Sequence, residues 1–317
     1  MSSVLSQEEL MILHSHNRKM AAKEQRFTVK KEVPKISDAF NSSFIRKLQK
    51  RQQAFIENVS KVVNIDFPTG FDTLDKTIYG ITPGHTMVIG SRAHVDKTSF
   101  VVNIAKNLTN RSGIAVALVS PEDRAETILH KIICSEVDIE SKRLVTGDIS
   151  SQEYDKIRYA VADVHKSKLA VCENPSITIN GIQSFALDTR DRHGSCVLII
   201  NSFNSLFNGI KEDYDIIDNR ITRLRDFSKR TGIPLIVLCD LSRKISNKGD
   251  NYIPQCSDLS YTGSIEQDAD TILLLNAHKD DESQVDLIIG KSRHSDRKTI
   301  PLKYNNRFFT FREDLNR

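Results

Sequence analysis

The sequence predicts an α/β fold: a mainly parallel sheet with helices on both faces and an antiparallel extension near the C-terminus. Three observations predict it. From about residue 66, short and near-continuous apolar runs alternate with longer helical stretches, the pattern of parallel strands covered on both sides. Between residues 271 and 311 the runs follow one another with no helical stretch between them, which suits antiparallel neighbours. One apolar run, Met87-Val88-Ile89, enters a short polar loop that ends in Lys97-Thr98-Ser99 and leads into an amphipathic stretch. That is strand, loop, helix.

Residues 1–60 form a basic helical arm or linker in this reading, and 61–317 the main domain. Residues 6–25 fit one helix, with Leu10, Ile12, Leu13 and Met20 apolar, and Pro34 breaks the run. Residues 38–59 fit a second, with Phe40, Phe44, Leu48, Phe55, Ile56 and Val59 near helical spacing. Such a stripe must bury itself, on its own body or on a neighbouring subunit. In the main domain the strand-like runs are Met87–Gly90, Ile114–Val119, Leu169–Cys172, Cys196–Ile200, Leu235–Cys239, Thr271–Leu275 and Val285–Ile289. Helical stretches fall near 97–110, 123–136, 151–165, 179–193 and 216–231.

Composition narrows the class. The 317 residues are 39% apolar and 27% charged, as in ordinary globular chains. No apolar run approaches the ~18 residues that a membrane span needs, and no secretory leader is evident. Cys134, Cys172, Cys196, Cys239 and Cys256 lack paired spacing and read as reduced thiols of a cytoplasmic protein. The net charge of +4 hides an asymmetry: residues 18–51 carry eleven Lys and Arg against three Asp and Glu. A basic arm on a mildly acidic body suits nucleic acid or an acidic partner, and a solvated basic linker equally.

The loop follows the phosphate-loop pattern G-x-x-x-x-G-K-[ST] in its last two positions only. Lys97 and Thr98 are present, while Ser91 and Asp96 stand at the two glycine positions. In such loops backbone N–H groups and a helix N-terminus hold the phosphates. Lys97 would reach the β- and γ-phosphates and the Thr98 hydroxyl would ligate Mg²⁺. Asp tolerates a left-handed backbone, so the loop shape can survive. Its charge costs more. A carboxylate about 4 Å from a phosphate charge costs ~4 kcal/mol at an effective dielectric near 20, unless Arg92 or Lys97 screens it. An N-cap followed by a surface lysine would read the same way, and the strand ends decide between the two. Ser120-Pro121-Glu122, Asn201-Ser202, Asp240-Leu241-Ser242-Arg243 and Gly290-Lys291-Ser292-Arg293 follow four of the apolar runs. Ligands collect at the carboxyl ends of strands in α/β sheets, so all four groups are expected on the edge that carries the loop.

Residues 66–311 resemble the RecA-like motor domain of DnaB-type hexameric replicative helicases. The segments TGFDTLDKTIYGITPG (69–84), SDLSYTGSIEQDADTILLL (257–275) and IIGKSRH (288–294) carry the resemblance. It implies a RecA-like P-loop NTPase fold that uses ATP and Mg²⁺. Lys97 and Thr98 would hold phosphates and metal, with Ser91, Arg92, Asp96 and Ser99 completing the loop. Glu122 aligns with the glutamate that activates the attacking water. Asn201 stands where the family has the metal-binding Walker B aspartate, and Asp240 where it has a glutamine that senses the γ-phosphate. Lys291 and Arg293 align with the pair that reaches a neighbouring subunit's site, Arg293 as the arginine finger. Ser260, Tyr261, Thr262 and Gly263 occupy the DNA-binding loop, with Ser260 and Tyr261 replacing an Arg-Glu pair.

The resemblance therefore implies a DnaB-type DNA helicase homologue in DNA replication, ATP-binding with weakened or lost hydrolysis. An alternative is a catalytically inactive paralogue acting as accessory, loader or inhibitor of a helicase ring, and a third reading is nucleic-acid binding through the basic arm. The implied partners are single-stranded DNA and other copies of the chain in a ring or filament, or a host replicative helicase. The implied location is the cytoplasm of a bacterial or virus-infected cell.

Overall fold

The computed structural model describes residues 65–317 apart from 93–94, 208–213, 243–244, 246–247, 250–251, 261 and 294. The predicted arm, its two helices and the boundary at residue 60 lie outside the described residues, as do Arg243 and Tyr261.

Among the described residues, nine strands form one sheet in the order β3-β2-β4-β5-β1-β6-β7-β8-β9. They are β1 (Thr86–Ser91), β2 (Ala115–Val119), β3 (Leu169–Cys172), β4 (Cys196–Ile200), β5 (Leu235–Asp240), β6 (Thr271–Ala277), β7 (Gln284–Ser292), β8 (Thr299–Asn305) and β9 (Thr310–Glu313). The first six pair in parallel. From β6 onward each strand runs antiparallel to the one before it, as the helix-free C-terminal sequence requires.

The apolar runs are continuous because each central strand serves two cores. Met87 and Ile89 face one core, Val88 the other. Val116 and Leu118 face the first, and Ala115, Ala117 and Val119 the second. The helices that fill these cores include α2 (Lys97–Lys106), α3 (Ala125–Val137), α5 (Ser151–Lys166), α6 (Ile179–His193) and α7 (Tyr214–Thr231), close to the predicted stretches. Three short helices, α1 (Asp72–Ile78), α4 (Ser141–Thr146) and α8 (Thr262–Asp268), span too few turns to leave a periodic pattern. No helix among the described residues is long and apolar enough to cross a membrane.

The start of α2 is fixed by aromatic packing. Fully buried Phe100 stacks on Phe71 at 5.0 Å and meets the edge of Phe311 at 5.3 Å. One turn on, the Asn103 amide donates to the Phe309 carbonyl at 2.8 Å and accepts from Phe311 N–H at 3.0 Å. Strand β9 thus anchors the helix from the far end of the sheet. In β1, Gly90 is a close-approach position: a Cβ there would lie 2.5 Å from the Leu259 side chain.

The register corrects one expectation. Ser91 pairs with Asp240, so the ends of β1 and β5 share an edge, and Val119 pairs with Ile200 in the same sense. Strand β7 runs the other way. Thr271 pairs with both Met87 and Ser292, so the end of β7 lies level with the beginning of β1. Lys291 and Arg293 are therefore on the edge opposite the loop. The expectation that all four polar groups share the loop's edge did not carry the predicted antiparallel direction through to β7, and that direction reverses the placement of Lys291 and Arg293.

Candidate functional site

The loop after β1 is held by its own side chains. Buried Ser91 donates through Oγ to the Arg92 carbonyl at 3.0 Å and the Val95 carbonyl at 3.2 Å. Arg92 donates to the Tyr252 carbonyl at 3.0 Å, on the segment after β5. Asp96 caps α2: it accepts from Ser99 N–H at 2.8 Å and from Ser99 Oγ at 2.6 Å. It also accepts from Lys131 Nζ at 2.7 Å and from the Tyr304 hydroxyl at 2.8 Å. Burial pushes the Asp96 carboxyl up, but the Lys131 charge and the hydrogen bonds from Lys131 and Ser99 outweigh it and hold the group below its ordinary range. Burial, and Asp96 beside it, push the Tyr304 phenol up.

The backbone at Asp96 has φ −72°, so the loop needs no left-handed residue at this position. The carboxylate is neutralised inside the protein, chiefly by Lys131 of α3. The electrostatic cost expected from the sequence assumed an uncompensated charge, and that assumption does not hold here.

Several polar side chains converge at the strand ends. Lys97 Nζ lies 2.5 Å from Asp240 Oδ1. The Thr98 hydroxyl donates to Asn201 Oδ1 at 3.1 Å. Asn201 Nδ2 donates to Ser120 Oγ at 3.1 Å and to Asp123 Oδ2 at 3.0 Å. Beside it, Ser202 Oγ donates to Glu122 Oε1 at 3.3 Å, and the Asn201–Ser202 peptide is cis. The Lys97 N–H donates to the Val95 carbonyl at 2.8 Å, so this donor is turned into the loop. Sequence reasoning named Lys97, Thr98, Glu122, Asn201 and Asp240, and the structure brings these to one edge. Ser91, Arg92, Asp96 and Ser99 make hydrogen bonds that hold the loop together.

The segment after β5 returns to the same place. Leu241 bridges Leu259, and Ser260 N–H donates to the Asp240 carbonyl at 2.8 Å. The backbone of Ser260, and with it the start of α8 at Thr262 and Gly263, therefore adjoins Asp240. On the opposite edge Lys291 Nζ donates to the Glu266 carbonyl at 2.6 Å, at the C-terminal end of α8, where a cation also suits the helix dipole. Arg293 Nε lies 2.6 Å from buried Asp270, which also accepts from Thr86 N–H at 2.9 Å.

The donor set at the Thr98 edge consists of hydroxyls, an amide oxygen and carboxylates. Oxygen ligands of this kind suit Mg²⁺, which binds through one or two carboxylates together with phosphates and retained water. The residues present fit a nucleotide-bound metal. Residues 66–313 match the family model of the DnaB-like helicase C-terminal domain.

The chain belongs to this family.

A probable plasmid replicative DNA helicase of Chlamydia trachomatis is 30% identical over 263 residues, covering 82% of this chain and 58% of that protein. The replicative DNA helicase DnaB of Geobacillus stearothermophilus is 25% identical over 289 residues, covering 86% and 63%. The chain thus spans about three-fifths of the length of the curated relatives it matches. Among solved structures, an isolated ATPase domain superposes with a TM-score of 0.77 at 24% identity, over 86% of this chain and 99% of that one. A DnaB-like replicative helicase described with its primase interactions gives 0.75 at 23%, over 86% and 67%. These two likenesses establish the RecA-like fold.

Within this DnaB-like domain, three site residues escaped the sequence reading. Lys131 and Tyr304 reach Asp96 from 35 and 208 positions away, a pairing that no local pattern signals. Asp123 had a signal, since it directly follows Glu122 after an apolar run, and the first carboxylate drew the whole assignment.

Proposed function

We propose that this DnaB-like domain is the motor part of a DNA helicase homologue acting in replication, one that binds ATP with Mg²⁺ and hydrolyses it slowly. The observation that carries the reading is the convergence of Lys97, Thr98 and Glu122 at one sheet edge in a chain of this family. Lys97 would neutralise the terminal phosphates, Thr98 and Asn201 would hold the metal, and Glu122 would orient the attacking water. The metal, when bound, supplies charge stabilisation to the phosphates. Arg293 lies on the opposite edge, which supports a ring or filament of copies in which it enters the adjacent site with Lys291 beside it. Single-stranded DNA is the proposed track, with Ser260, Tyr261, Thr262 and Gly263 in its loop, and the cytoplasm of a bacterial or virus-infected cell the proposed place.

Slow turnover is supported by two features of the site. The Lys97 ammonium is already paired with Asp240, and the metal position carries the neutral Asn201. The same features favour a second reading, an inactive paralogue that serves as accessory, loader or inhibitor of a helicase ring. DNA-stimulated ATP hydrolysis separates the two, with Glu122→Gln as control. Slow hydrolysis abolished by Glu122→Gln supports the motor. ATP binding with no hydrolysis above the control supports the paralogue. Hydrolysis near the ~10 s⁻¹ typical of enzymes overturns the slow-turnover proposal.

A further inference from the structure

The metal position raises a question of charge. Asn201 follows β4, and its amide oxygen is neutral. Its two ends are nevertheless both engaged: Oδ1 accepts from Thr98 at 3.1 Å, and Nδ2 donates to Asp123 at 3.0 Å and to Ser120 at 3.1 Å. Asp123 fixes this orientation, because a turned amide would set Oδ1 against a carboxylate, acceptor to acceptor. The chain Thr98–Asn201–Asp123 therefore places one carboxylate a single side chain away from the hydroxyl that would ligate Mg²⁺. Glu122 does not fill this role, since it bonds Ser202 rather than Asn201.

We propose that Asp123 supplies the negative charge at the metal position that Asn201 lacks, acting as a positioning residue through the Asn201 amide. The proposal rests on the nucleotide-site reading above. It fits the coordination chemistry of Mg²⁺, which keeps several waters and takes carboxylates through them. A carboxylate just behind a ligand tunes the metal: losing such a partner weakens metal affinity about 10–100-fold. In this site the charge has moved one residue outward, from the strand end of β4 to the loop after β2.

The test uses the full chain, Mn²⁺ as the probe and a non-hydrolysable ATP analogue as the nucleotide. Bound and free Mn²⁺ are separated by electron paramagnetic resonance, and analogue binding is measured separately in EDTA. Asp123→Asn is expected to weaken Mn²⁺ affinity of the nucleotide complex about 10–100-fold. Its affinity for the analogue in EDTA should not fall, because removing a carboxylate cannot repel phosphate. The double variant Asp123→Asn/Asn201→Asp returns a carboxylate to the strand end and should recover most of the Mn²⁺ affinity. Circular dichroism checks that both variants are folded. Wild-type Mn²⁺ affinity in Asp123→Asn overturns the proposal. A folded double variant as weak as the single one also overturns it, because the effect would then be one of shape and not of charge. Failure of the unmodified chain to bind the analogue in EDTA or with Mn²⁺ overturns the nucleotide reading itself, and this proposal with it.

Discussion

Lys97 Nζ lies 2.5 Å from Asp240 Oδ1, which ties the first residue of α2 to the last residue of β5. The ammonium that would meet the phosphates is thus paired with an anion of its own chain. An incoming phosphate must displace that carboxylate or share the lysine with it. Asp240 is 40% exposed, so solvent screens the pair and its strength is at most ~1 kcal/mol. Asp240→Asn should therefore raise nucleotide affinity about fivefold. Titration of a fluorescent ATP analogue checks this, and an unchanged or lower affinity counts against competition at Lys97.

Asp96 should behave oppositely to a defective loop glycine. Its carboxylate caps α2 and neutralises Lys131, which is only 12% exposed. Asp96→Ala leaves that ammonium largely buried and without its counter-ion, with a loss of about 3 kcal/mol in urea unfolding. Asp96→Gly should destabilise similarly and give no gain in nucleotide affinity.

The acid limb carries the same signature. Asp96 is held below its ordinary value of 3.8, so its folded value lies under its unfolded one. Its contribution is fully present above about pH 4 and is lost as the pH falls through the folded value. The stabilities of wild type and Asp96→Ala should converge only in that acid range. Parallel curves down to the lowest pH would show that the Asp96 charge contributes nothing.

Local features of the sequence made most of the sheet legible. The parallel strands are buried on both faces, as the alternation of Met87 and Val88 between two cores illustrates, so their composition alone announces them. Lys97, Thr98, Glu122, Asn201 and Asp240 follow strands of that kind, and their meeting could be inferred from strand direction. Arg293 was misplaced although the helix-free sequence after residue 271 already predicts an antiparallel β7, because residues 290–293 themselves carry no mark of the direction of their strand. The cap at Asp96 was one of the two readings that the sequence offered, but the counter-ion that neutralises it was not legible. Its partners Lys131 and Tyr304 come from α3 and β8, and only the fold makes them neighbours. A carboxylate without its counter-ion looks like an obstacle to phosphate; with it, the same residue is a helix cap.

DNA binding offers a separate prediction. The basic residues concentrate between positions 18 and 51, so contact with DNA should be mainly electrostatic and independent of base sequence. Affinity should fall steeply with salt, and deletion of residues 1–60 should both weaken binding and flatten the salt slope. Tyr261→Ala removes at most one stacking contact, worth ~1–3 kcal/mol, and should leave the slope intact. Fluorescence anisotropy with single-stranded oligonucleotides at several salt concentrations checks the ranking. A larger loss from Tyr261→Ala would place the principal DNA contact in the loop beside Asp240.

The opposite placement of Lys97 and Arg293 predicts complementation between subunits. Lys97 follows the end of β1, while Arg293 follows the end of β7, level with the beginning of β1. One copy cannot bring both groups to one phosphate, so in the proposed ring or filament a complete site would draw on two copies. A Lys97→Ala subunit lacks the phosphate lysine but keeps its arginine, and an Arg293→Ala subunit has the reverse defect. Each variant alone should lose DNA-stimulated ATP hydrolysis. Mixed and reassembled, they should recover part of it, because an Arg293→Ala site bordered by a Lys97→Ala copy has every group in place. Arg293 also pairs with Asp270, so circular dichroism of Arg293→Ala must show an intact fold for the mixture to be read. Hydrolysis that stays absent in a mixture of folded, co-assembled variants would mean that Arg293 serves its own chain, as the partner of Asp270, and no neighbour.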